Sequence, residues 1–208
     1  MKKNLLPKMG MTALMAATAF AGVGTPVLAA AGTNYGTTIE GTKTTTFDKF
    51  LVMDKQANVP NATFTYAVTA GNAKAYDVAG KKFQVLAGVD ANKITMAGVG
   101  EGAAANSIVF KQGDGSDTHD TTKDAYVKGL AAGKKYALKT ATLDFSAVQF
   151  TEPGVYRYII TESGTNQGIT NDADLTRVLD VYVNDASADV DVTFTKKMTI
   201  AGYVLHSN

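Results

Sequence analysis

The sequence predicts an all-β sandwich. Three observations carry that reading: short runs of alternating apolar and polar residues rich in Val, Thr, Ala and Tyr; Gly, Asn and Asp residues that break those runs at short intervals; and weak helical periodicity throughout. The runs fall at residues 44–53, 62–69, 108–111, 136–142, 155–162, 176–184, 190–195 and 199–205. Residues 81–86 and 93–96 read either as further short strands or as parts of an excursion between two sheets. Residues 120–130 carry a faint helical pattern that ends at glycines, enough for one short turn. The chain has no internal repeat and no low-complexity linker, so one domain is expected over residues 30–208.

The first 29 residues stand apart. Lys2, Lys3 and Lys8 make a basic start, residues 9–23 are apolar and small, and V-L-A-A-A-G follows. This is the layout of a secretory signal peptide, with cleavage expected after Ala29. Gly, Thr and Pro dilute the stretch, whereas a spanning helix needs about 20 dominantly apolar residues. The mature chain is therefore expected to have no membrane span.

Removing the three leader lysines turns the formal charge of +1 slightly negative. No electrostatic case for binding nucleic acid survives that balance. The chain has no cysteine and only two histidines, His119 and His206. Disulfides, thiol catalysis and thiolate metal sites are excluded, and an exported chain must be stabilised in some other way.

Side chains along a strand alternate between faces, which gives a parity test for misplaced charges. In P-G-V-Y-R-Y-I-I-T-E (residues 153–162), Tyr156, Tyr158, Ile160 and Glu162 share one face, and Val155, Arg157, Ile159 and Thr161 share the other. In T-F-D-K-F-L-V-M (residues 46–53), Phe47, Lys49, Leu51 and Met53 share a face. Each apolar face therefore holds one ionisable residue. A lone lysine commonly snorkels its ammonium out of such a surface. Two residues of opposite charge on separate strands have a second resolution, paired burial, because an unpaired buried charge costs several kcal/mol. Burial disfavours both charged forms, and a neutral amine beside a protonated acid is a nucleophile beside an acid catalyst.

The runs T-T-F-D-K-F-L-V-M-D, V-P-N-A-T-F-T-Y-A-V, F-T-E-P-G-V-Y-R-Y-I-I-T-E and L-D-V-Y-V-N-D resemble the isopeptide-linkage pilin domain of Gram-positive bacteria, the streptococcal major-pilin type. The resemblance runs from Thr44 to about Leu205 and implies an immunoglobulin-like β-sandwich. It implies a spontaneous amide bond between a lysine of the first strand and an asparagine of the last, promoted by a buried acid. Lys49 falls on the bonded lysine and Glu162 on the catalytic acid. The bonded asparagine is expected in a short strand after the G-Y-V-L-H strand, beyond the end of this chain. Asn208 falls in the loop position and is the lesser candidate; Asn171 and Asn184 do not match the pattern.

The resemblance further implies secretion, a place on the Gram-positive cell wall, linkage to other pilin subunits by a sortase, and a structural role as a pilus shaft or stalk subunit. The alternative is an adhesin domain whose loops bind a host protein or glycan. Neither needs a cofactor. No conventional enzyme is expected, since His119 sits in a polar loop, His206 at the chain end, and no G-x-S-x-G elbow exists. The loop G-D-G-S-D-T-H-D (residues 113–120) is the one tempting metal site, but an EF-hand count from Asp114 puts His119 and Ala125 where Gly and an acid belong. No metal is expected there. The tyrosines Tyr66, Tyr156, Tyr158, Tyr182 and Tyr203 read as sandwich core.

Overall fold

The computed structural model describes residues 38–116, 133–164, 166–186 and 197–207. The expected signal peptide at 1–29, the faint helical pattern at 120–130, the run at 190–195, His119 and Asn208 all lie outside the described residues.

Among the described residues eleven strands follow in chain order: β1 (Thr38–Gly41), β2 (Thr44–Asp54), β3 (Ala62–Ala70), β4 (Lys74–Val78), β5 (Lys81–Ala87), β6 (Thr95–Met96), β7 (Ser107–Phe110), β8 (Lys134–Asp144), β9 (Gly154–Ser163), β10 (Thr176–Asp185) and β11 (Lys197–His206). The larger sheet runs β1-β11-β10-β9-β3-β7, and the β4–β5 hairpin joins it where β5 lies parallel to the start of β9. The smaller sheet runs β2-β8-β6. The fold is an all-β sandwich, as the alternation predicts. Among the described residues no helix is long and apolar enough to cross a membrane.

Of the two ambiguous segments, one becomes β5 and the other a 3-10 turn (Ala91–Lys93) followed by β6. Two strands were not anticipated. β1, at four residues, is too short to show alternation in the sequence, and β4 exposes four of its five side chains.

Alternation places the core between the sheets. β2 buries Lys49 and Leu51 while Asp48 and Val52 face solvent. β9 buries Tyr156, Tyr158 and Ile160 on one side, and β10 sets Leu179, Val181 and Val183 beside them. Phe145 and Phe150 fill the layer through ring contacts with Tyr158 and Tyr156. Tyr66 is core as expected, and Tyr203 packs half-buried against it, but Tyr182 faces the other side of the sheet, in register with Val155. Core tyrosines need partners for their hydroxyls. Tyr158 donates to the Val89 carbonyl and Tyr156 to that of Glu152, each at 2.8 Å.

Candidate functional site

Register decides what the two misplaced charges meet. β3 pairs with β9 so that Tyr66 stands opposite Glu162. β2 crosses above them in the other sheet with Lys49 on its inner face. The Lys49 ammonium donates to Glu162 Oε1 at 2.7 Å, and the Tyr66 hydroxyl donates to Oε2 at 2.8 Å. The side chains of Lys49 and Glu162 are only 11% and 12% exposed, so this is a buried pair and not a surface one. Lys49 Nζ also lies 4.2 Å above the Phe64 ring, whose face attracts a cation.

The carboxylate is thus held by one donor on each oxygen. Burial, followed by the charge of Glu162, pushes the Tyr66 phenol far above its ordinary pKa. It stays protonated and remains a donor. Phe47, the inner-face neighbour of Lys49, meets the Tyr66 ring edge-on at 5.1 Å and fixes its plane.

Beyond Glu162 the chain turns at Gly164, which has φ +132°; a Cβ there would sit 2.8 Å from the Thr63 carbonyl. Asn166 pins the following loop to β3 through Thr63, accepting from its N–H at 2.9 Å and donating to its carbonyl at 3.0 Å. That loop forms one wall of a groove of about 500 Å3 along β2, into which Lys49, Leu51, Phe64, Ile169 and Asn171 all project. Asn171 donates to the Gly164 carbonyl, while its own Oδ1 is buried and unpartnered. β2 pairs with β8 on one side; among the described residues no strand pairs with its other edge.

A second lysine shares the inner face. Lys139 on β8 stands directly opposite Lys49 in the β2–β8 register. Its ammonium meets Asp114 Oδ2 at 2.9 Å and lies 5.5 Å from the centre of the Phe110 ring. Asp114 lies in the described part of the polar loop considered above as a metal site, and its carboxylate also accepts the Lys111 N–H at 2.8 Å. Burial alone would raise the Asp114 pKa, but the Lys111 and Lys139 hydrogen bonds outweigh it and hold the group below the usual carboxylate range. Among the described residues no group of three His, Asp or Glu side chains converges on one point.

On the opposite face of the larger sheet Arg157 grips Asp180 through two hydrogen bonds, 2.8 Å from Nε and 2.7 Å from a terminal nitrogen. Its other terminal nitrogen donates to the Tyr76 hydroxyl at 2.8 Å, and His206 Nε2 approaches Asp180 at 3.3 Å. Sequence reasoning placed Arg157 on that face without its partner. Of the expected site residues, then, Lys49 and Glu162 come together; Asn184 is the last residue but one of β10, and Asn171 reaches the groove through its loop.

Residues 103–203 match the family model described as FctA, the Spy0128-like isopeptide containing domain. A search of the curated proteins finds no match. Among solved structures, the major pilin protein from Streptococcus pyogenes is similar at 17% sequence identity and a TM-score of 0.36, covering 76% of this chain and 54% of that one. The chain thus spans about half the length of that pilin. The matched residues include β9, which carries Glu162, and this match supports a Gram-positive pilin domain of the FctA type.

Proposed function

We propose that this chain is the structural subunit of a surface fibre, stabilised by an amide bond that it forms itself between Lys49 and an asparagine. In this reading the protein is exported by its signal peptide, joined to other pilin subunits by a sortase and held at the Gram-positive cell wall. It turns over no external substrate. The observation that carries the proposal is the buried Lys49–Glu162 contact of 2.7 Å, which joins the two sheets at the face where parity put both residues.

The chemistry follows from that contact. Glu162 takes a proton from Lys49 Nζ across the hydrogen bond and leaves a free amine. The amine attacks Cγ of the asparagine carboxamide, whose oxygen gathers charge in a site from which water is largely excluded. Glu162 returns the proton to the departing nitrogen and then accepts the second proton, which Nζ sheds as it becomes the amide nitrogen. One bond forms between Nζ and Cγ, the Cγ–Nδ2 bond breaks, and ammonia leaves. The edge of β2 that no described strand pairs with, and the groove beside Lys49, support delivery of the asparagine on an extended segment. A cross-link spanning the domain would stabilise it by about 5 kcal/mol on the chain-entropy model, in place of the absent disulfides.

Intact mass spectrometry of the mature full-length protein tests this. The mass of the unlinked chain less one ammonia is expected, with fragment ions that join the Lys49 peptide to an asparagine peptide. Recovery of the full unlinked mass sinks the proposal.

A further inference from the structure

We propose that Tyr66 is a positioning residue for this reaction, tethering one oxygen of Glu162 so that the other alone exchanges protons with Lys49; the inference rests on the function proposed above. The terminal torsion of a glutamate is broad and nearly two-fold, so burial alone does not decide which oxygen faces the amine. Here the β3–β9 register sets Tyr66 opposite Glu162, and its hydroxyl occupies Oε2 at 2.8 Å. The ring is 7% exposed and braced by Phe47. Oε1 is left to Lys49.

The tether works in both halves of the proton cycle. While Glu162 is ionised, Tyr66 donates to a carboxylate oxygen. Once Oε1 has taken the lysine proton, Oε2 is the carbonyl oxygen of the acid and still accepts from Tyr66. The proton therefore stays on the oxygen that faces the reacting nitrogen, from which it can be returned to the leaving group. Glu162 held by lysine alone could swing and lose that direction. Burial raises the pKa of the phenol and keeps Tyr66 from competing as a proton source.

The test compares two phenol deletions in the full-length protein, refolded from denaturant and sampled over time for ammonia loss by mass spectrometry. Tyr66→Phe removes the tether and keeps the ring. Tyr156→Phe removes another core hydroxyl, the one that donates to the Glu152 carbonyl. Tyr66→Phe is expected to slow linking by at least about ten-fold, the scale of one lost charge-assisted hydrogen bond, and to displace the pH–rate profile. Tyr156→Phe is expected to link at the wild-type rate with an unchanged profile. Phe47→Leu, which loosens the Tyr66 ring and keeps its hydroxyl, should slow linking by a smaller factor and covers the case in which Tyr66→Phe fails to fold. Equal rates in wild type and Tyr66→Phe, equal slowing by both phenol deletions, or wild-type linking in Phe47→Leu where Tyr66→Phe does not fold, overturns the role of Tyr66 and leaves the amide bond standing. No ammonia loss from the wild type overturns the bond, and the role with it.

Discussion

Lys49 and Lys139 stand side by side on the inner face of the smaller sheet, each against an acid and a phenylalanine ring, yet their acids are held in different ways. Glu162 comes from β9, where its carboxylate accepts from the Lys49 ammonium and from a phenol. Asp114 comes from a loop, where a backbone N–H and the Lys139 ammonium both keep it ionised. An acid locked in its charged form is a poor proton acceptor, so the second pair reads as a static clamp. In the proposed reaction it is the first pair that passes a proton. Two lysines in one register can therefore serve different ends, and the carboxylate environment separates them.

The hardest blow to that contrast is a substitution at the first acid. Glu162→Ala in the full-length protein is expected to fold but show no ammonia loss by intact mass. Before any bond has formed, removing only one partner of the pair leaves a charge buried, and should cost about 3–5 kcal/mol in urea unfolding. Replacing both together, Lys49→Met with Glu162→Leu, should restore most of that, because an apolar pair avoids the desolvation of two charges.

A smaller change is expected at the second pair. Asp114 is 26% exposed, so Asp114→Ala should cost about 1 kcal/mol in urea unfolding and leave the linking rate of the full-length protein untouched. Slowed linking in this variant would merge the two lysines into one functional unit. The acid limb sharpens the comparison further. The Asp114 pKa is depressed in the fold, so its stabilisation is complete above the unfolded value of about 3.9 and is lost as pH falls through the folded value. Asp114→Asn should remove that part of the slope when unfolding is followed against pH. The smallest effect belongs to a pair with no core at all. Lys134 and Asp54 meet at 2.6 Å with side chains 43% and 74% exposed, and Lys134→Ala should change stability by under about 1 kcal/mol.

Parity made Lys49 and Glu162 legible because each interrupts an otherwise apolar strand face. The same test applied to residues 137–143 would have flagged Lys139, which shares a face with Ala137, Ala141 and Leu143. It could not have found Asp114, because a loop has no period. Nor could it find the Tyr66 tether: alternation buries the ring, but only the β3–β9 register sets the hydroxyl against Glu162. The Arg157–Asp180 grip is hidden for the same reason, being a contact across β9 and β10 on the outer face. Strands with one apolar face announce themselves; β4, wetted on both sides, and the four-residue β1 do not.

That short first strand has a mechanical consequence. β1 runs parallel to β11, with Thr38 beside Lys197 and Gly41 beside Ile200. Tension applied at Thr38 and at His206 would pull these two neighbours in opposite senses along their own length. Every hydrogen bond between them would be loaded at once, in shear, where an antiparallel pair pulled from one end unzips bond by bond. Just past β1, the Tyr203 hydroxyl on β11 donates to the Thr42 carbonyl at 2.8 Å, and the Phe145 N–H donates to that of Lys43 at 2.8 Å. The shear clamp and these two latches lie between Thr38 and Lys49, so they would yield before the load reached the lysine.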